Sequence, residues 1–158
     1  MYYYLDGYNL LFSLIETKRS LAEERKQILL FLQKKFQRQK LKGTLVFDGA
    51  HRRDEESGHS YPSPLELVYT PKGQTADAYI IERIELMKNP RLATVVSNDR
   101  GLKSHAVSLG AKYLSNIEFI EQILRKEKRP EKEKAPFKET KQNIERLLKI
   151  FEEKLRDC

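Results

Sequence analysis

Hydrophobic positions along the chain fall into short solid runs that alternate with longer stretches of helical period. The first run, Tyr2-Tyr3-Tyr4-Leu5, is followed at once by Asp6-Gly7. A short apolar run closed by a turn signal predicts a buried strand, here with a carboxylate at its end. Gly7 suits a sharp exit, since glycine tolerates unusual backbone angles. Leu10, Leu11, Leu14 and Ile15 then recur at helical spacing, and polar residues 17–20 predict a loop. Ser20-Leu21-Ala22-Glu23 has a capping-box pattern. Behind it Leu21, Ile28, Leu29, Leu32 and Phe36 line one helical face. Gly43 is expected to close the turn before a second strand, residues 44–47, which ends on Asp48-Gly49. Residues 50–64 have no apolar period and predict a long mobile loop; such loops are often functional.

Leu65, Leu67, Val68 and Tyr69 predict a third strand, and Thr70-Pro71-Lys72-Gly73 a turn. Thr75 is the expected N-cap of a helix from Ala76 to about Met87, with Asp77 in its favourable first turn. Asn89-Pro90 stops that helix. Residues 92–97 form the most β-like run, Leu102, Ala106 and Leu109 mark a helix ended by Gly110, and Lys112-Tyr113-Leu114 is a short last strand. Asn116 is the expected cap of a helix carrying Ile117, Phe119, Ile120, Ile123 and Leu124. The alternation predicts an α/β fold, a parallel sheet with helices on both faces. With strand order 3-2-1-4-5, Asp6 and Asp99 flank the point where the order reverses, where ligands gather in open sheets.

The pattern divides the chain into a domain over residues 1–124 and an extension over 125–158. Residues 125–136 read as a charged linker with two prolines or a frayed helix end, and Ile144, Leu147, Leu148, Phe151 and Leu155 as one amphipathic helix that packs back on the domain or binds a partner, packing back being the favoured reading. The 158 residues suffice for one core, and 39% hydrophobic against 34% charged content fits a compact domain with a charged extension. The net charge of +7 fits a polyanionic partner, or a well-solvated surface. Cys158 is the only cysteine, so no disulfide framework or cysteine-rich zinc site forms within the chain. The absence of an apolar leader or an 18-residue apolar run makes a cytoplasmic location the expectation, with no membrane partner.

Candidate chemistry sits at the strand ends. Asp6, Asp48 and Asp99 follow strands and Asp77 opens a helix, so four carboxylates could share one pocket. Oxygen clusters suit Mg²⁺ or Mn²⁺, which can activate water and stabilise the leaving oxygen of a phosphodiester. No Walker sequence or Gly-x-Gly-x-x-Gly competes. Each residue also has a structural reading. Asp6 and Asp48 can shape turns, Asp77 can serve only its helix start, and Asp99 can cap the following helix. Asn9 can cap the first helix or touch substrate. Ser97 and Asn98 can bond a metal ligand or a metal-bound water, or satisfy backbone groups. His51 can contact phosphate, move a proton or stand idle. Arg52, Arg53, Lys72, Arg100 and Lys103 would hold phosphates on the same face, or form a solvated rim.

Asp6-Gly7-Tyr8-Asn9, Phe47-Asp48-Gly49, Thr75-Ala76-Asp77 and Ser97-Asn98-Asp99 together resemble the YacP-like branch of the NYN domains, PIN-like proteins with an α/β/α sandwich fold. The resemblance implies a metal-dependent endoribonuclease acting on single-stranded RNA, such as mRNA or another cellular RNA, with Mg²⁺ or Mn²⁺ held by Asp6, Asp77 and Asp99. Asp48 matches a second-strand acid of less defined duty. Many PIN-like proteins carry a fourth acid shortly after the one matching Asp99; here Arg100-Gly101-Leu102-Lys103 follows, which leaves open one metal or a second ion bound only with substrate. A rival reading is a non-catalytic or weakly catalytic module of the same fold that binds RNA, the ribosome or another ribonucleoprotein. A covalent aspartyl phosphatase would want an acid two residues after Asp6, where Tyr8 stands. A monomer is the expected state.

Overall fold

The apolar runs become strands, and a short sixth strand joins them at one edge. The computed structural model describes residues 1–14, 20–49, 59–60, 64–128 and 149. Its strands are β1 (Tyr2–Asp6), β2 (Lys42–Phe47), β3 (His59–Ser60), β4 (Leu65–Tyr69), β5 (Ala93–Val96) and β6 (Lys112–Leu114). Its helices are α1 (Gly7–Leu14), α2 (Leu21–Gln39), α3 (Ala76–Glu85), α4 (Arg100–Ser108) and α5 (Asn116–Lys128). The sheet order is β3-β4-β2-β1-β5-β6. All pairs are parallel except β3 with β4. The five parallel strands therefore keep the expected order. β3 departs from the predicted loop: His59 and Ser60 pair with Val68 and Leu67, and two residues are too few to carry a readable period. His51, Arg52 and Arg53 lie outside the described residues.

Alternation along the strands builds two cores. On one face Tyr3, Leu5, Leu45, Phe47, Leu67 and Val96 pack with Leu10 and Leu11 of α1, Ile28, Leu32 and Phe36 of α2, and Phe119 and Ile123 of α5. On the other, Tyr4, Val46, Ala93 and Val95 pack with Ile80, Ile81 and Ile84 of α3 and with Leu102 and Ala106 of α4. The result is a three-layer α/β/α sandwich. Asp6 continues the series of Tyr2 and Tyr4, so its side chain belongs to the face of α3 and α4.

Local chemistry sets the element ends. Ser20 caps α2 by accepting from the Glu23 N–H at 3.3 Å. Lys40, not Gly43, turns the chain after α2: its φ of 55° is left-handed, and Gly43 lies inside β2. A 3-10 turn, Pro90–Leu92, precedes β5, with Asn89 Oδ1 accepting from the Arg91 N–H. Ser115, not Asn116, caps α5. Its hydroxyl accepts from the Glu118 N–H at 3.2 Å, and the Glu118 carboxylate accepts from the Ser115 N–H at 2.9 Å. The helix runs on through Arg125, which pairs with Glu121, to Lys128. The remaining extension, residues 129–148 and 150–158, lies outside the described residues, as does the packing expected of its helix. No helix among the described residues is long and apolar enough to cross a membrane.

Candidate active site

β1 delivers Asp6 to the carboxyl edge of the sheet, beside β5, where the strand order reverses. The helix α1 starts on the very next residue. Gly7 permits this by close approach: a Cβ there would lie 2.6 Å from the Phe47 ring and 2.8 Å from the Val46 carbonyl oxygen. Proximity, rather than an unusual backbone angle, is what demands glycine. Asp6 is only 7% exposed.

Two helix starts bring further carboxylates to the same face. Thr75 caps α3 by accepting from the Ala78 N–H at 3.1 Å, which sets half-buried Asp77 in the first turn. Asp99 caps α4 by accepting from the Leu102 N–H at 3.1 Å. The cap occupies one carboxylate oxygen of Asp99, and the residue also reaches Asp77. Ser97 ties the set together. Its fully buried hydroxyl donates to Asp6 Oδ2 at 3.2 Å and accepts from the Asp99 N–H at 3.0 Å.

The electrostatics follow from this crowding. Burial, then the charge of Asp77, and more weakly Asp99, push the Asp6 carboxyl up to about 7, while the Ser97 hydroxyl pulls it down. Asp77 is likewise raised, by burial first, then by Asp99, and more weakly by the charge of Asp48. Asp77 lies within hydrogen-bonding reach of both Asp6 and Asp99. The three form a row with Asp77 in the middle. Among the described residues no three such groups close into a ready-made ion cage, and the acids stand in an open row of pairwise contacts. Asp48 stands half-buried directly after β2 and acts on the row through its charge on Asp77.

The other expected site residues divide. Asn9 Oδ1 accepts from the Asn98 N–H at 2.8 Å and from the Asn116 amide at 2.9 Å. Asn98 Oδ1 accepts from the Asn116 N–H at 3.0 Å, and the Asn116 amide also donates to Ser13 Oγ at 2.8 Å. Asn9 and Asn98 are therefore joints that pin the β5–α4 turn to α1 and α5. Asn116, fully buried, is the residue sequence reasoning missed in this role. Its Ser-Asn-Ile-Glu setting signalled a helix start, not a tie across 107 positions. Lys72, Arg100 and Lys103 are exposed, and the Lys103 ammonium lies 5.0 Å over the Tyr113 ring.

A family model described as "YacP-like NYN domain" matches residues 3–157. No curated protein matches. The crystal structure of Rae1 (YacP) from Bacillus subtilis is similar, with a TM-score of 0.65, 18% identity, and 99% of this chain and 82% of that one covered. Its W164L mutant gives a TM-score of 0.64 at 18% identity, over 78% and 74% of the two chains.

Proposed function

The chain belongs to the YacP-like NYN domain family, a branch of the PIN-like nucleases, and from that premise we propose that it is a Mg²⁺- or Mn²⁺-dependent endoribonuclease acting on single-stranded RNA. One observation carries the reading: the row Asp6, Asp77 and Asp99 at the switch point, where burial and mutual repulsion drive Asp6 to about 7. Such crowding is relieved by a cation. The donors are all oxygen, which fits a hard divalent ion. Asp6, Asp77 and Asp99 would hold it, with Asp48 at the margin. When bound, such an ion supplies a polarised phosphate and an activated water.

The chain's own residues do the rest. Ser97 orients the Asp6 carboxylate and the turn carrying Asp99, as partners of metal ligands commonly do. The Asn9, Asn98 and Asn116 joint holds that turn in register with β1. Lys72, Arg100 and Lys103 on the rim attract the phosphate backbone, together with Arg52, Arg53 and His51 from the β2–β4 connection. RNA as the polymer follows from the family.

The test is cleavage of an end-labelled single-stranded RNA with Mg²⁺, Mn²⁺ or EDTA, beside Asp6→Asn and Asp99→Asn. Metal-dependent cleavage in the wild type alone supports the reading; equal cleavage in all three proteins would sink it. The open row favours one alternative, a module that binds RNA or a ribonucleoprotein such as the ribosome without cutting. Salt-sensitive binding with no cleavage under any metal would identify it.

A further inference from the structure

Between α3 and α4 runs a cleft of about 410 Å³, within the ~300–1,000 Å³ of small-ligand sites. Ala78 and Ile81 of α3 form one wall, and Leu102 and His105 of α4 the other. Asp77 lines its mouth, and so does Gly101, where a Cβ would crowd Asp99 Oδ1 at 3.2 Å. The cleft and the acid row therefore share a rim. We propose that this cleft seats the nucleobase of the nucleotide whose phosphate lies at the acid row, making Ala78, Leu102 and His105 determinants of base preference.

The chemistry selects the base over the other parts of a nucleotide. The Asp77 carboxylate in the lining repels phosphate from the interior. The apolar walls accept a flat neutral heterocycle, and a few polar groups orient it, the usual division of labour in such sites. His105 contributes a planar ring with a hydrogen-bonding edge. The Thr75 hydroxyl accepts from Ala78, which leaves its proton to donate. Because Asp77 belongs to both the row and the cleft, one nucleotide can reach both. This placement rests on the nuclease reading for where the phosphate sits.

The test measures binding rather than turnover. A short single-stranded RNA is compared by fluorescence anisotropy, in Ca²⁺ so that the oxygen donors are occupied by a hard divalent ion, with a series in which one abasic residue is walked along the strand. One position should weaken binding about tenfold, ~1.4 kcal/mol, and the others little. Ala78→Phe, which fills the cleft from an exposed position on α3, should bind the intact RNA as weakly as the wild type binds that abasic strand. Val107→Phe, the same bulk on an exposed position of α4, should bind as wild type. Urea midpoints establish that both variants fold. Uniform binding of all abasic strands, or unimpaired binding by Ala78→Phe, would overturn the base seat. Metal-dependent cleavage alongside that uniform binding would leave the nuclease reading standing. Absent cleavage with the predicted binding pattern would refute the nuclease and keep the seat, and no binding at all would remove both.

Discussion

Replacing Asp6 by asparagine should stabilise the metal-free protein, and only above acidic pH. The unfolded chain releases the Asp6 proton near 3.8, and the folded protein keeps it to about 7. Across that window the folded state binds more protons, so stability falls as pH rises and levels off above 7. At ~1.4 kcal/mol per pH unit the whole window corresponds to roughly 4 kcal/mol. About 2–3 kcal/mol of it lies between pH 5 and 8. Asparagine keeps the shape and removes the charge, and in doing so relieves Asp77, so the effect belongs to the coupled pair. The assay is urea unfolding of wild type and Asp6→Asn in EDTA at pH 5 and pH 8. The stability difference in favour of the variant should grow by about 2–3 kcal/mol between the two. Adding Mn²⁺ at pH 8 should then stabilise the wild type and leave the variant unchanged, since only a native-state ligand site responds by mass action. Identical pH slopes in the two proteins, or a variant weaker at pH 8 than at pH 5 relative to wild type, would refute the electrostatic account.

Three further outcomes follow from the same geometry. Ser97→Ala removes the hydroxyl that holds Asp6 down and anchors the Asp99 N–H; cleavage should fall ~10–100-fold, with the pH profile displaced upward. Asn116→Ala cuts the tie to Asn9 and Ser13 and should lower urea stability by about 1–3 kcal/mol by removing several part-buried hydrogen bonds from a fully buried position. Gly7→Ala drives a methyl into the Phe47 ring and the Val46 carbonyl and should destabilise by about 1–3 kcal/mol, read as a lower thermal midpoint at unchanged ionic strength.

Most of the fold was legible because its signals are local. Tyr2 to Leu5 and the β5 run are apolar on both faces, as strands covered by helices on either side must be, and Thr75 announced α3 through its own chemistry. The placement of the acids is legible for the same reason: Asp6 closes a buried strand at the sheet's carboxyl edge, and Asp77 and Asp99 sit at helix starts marked by their own capping chemistry. What escaped depends on contacts far apart in sequence. The sequence around Gly7 speaks only for backbone freedom, while its constraint is Phe47, forty residues on. Asn116 has the chemistry of a cap, but Ser115 and Glu118 have the better capping geometry, which frees Asn116 for the buried joint with Asn9. The α3–α4 cleft has no sequence signature, because it exists only once Ile81 and Leu102 face each other across packed helices.

The central claim is that Asp6, Asp77 and Asp99 hold the ion that makes RNA cleavage possible. The most direct test titrates Mn²⁺ into the protein and follows bound ion by the loss of the free-ion paramagnetic resonance signal, with RNA cleavage measured over the same concentrations. Occupancy and cleavage should rise together in the wild type, and Asp77→Asn should displace both curves to higher Mn²⁺ by the same factor. Mn²⁺ bound unchanged by Asp77→Asn, or cleavage that proceeds before any ion is bound, would contradict the account.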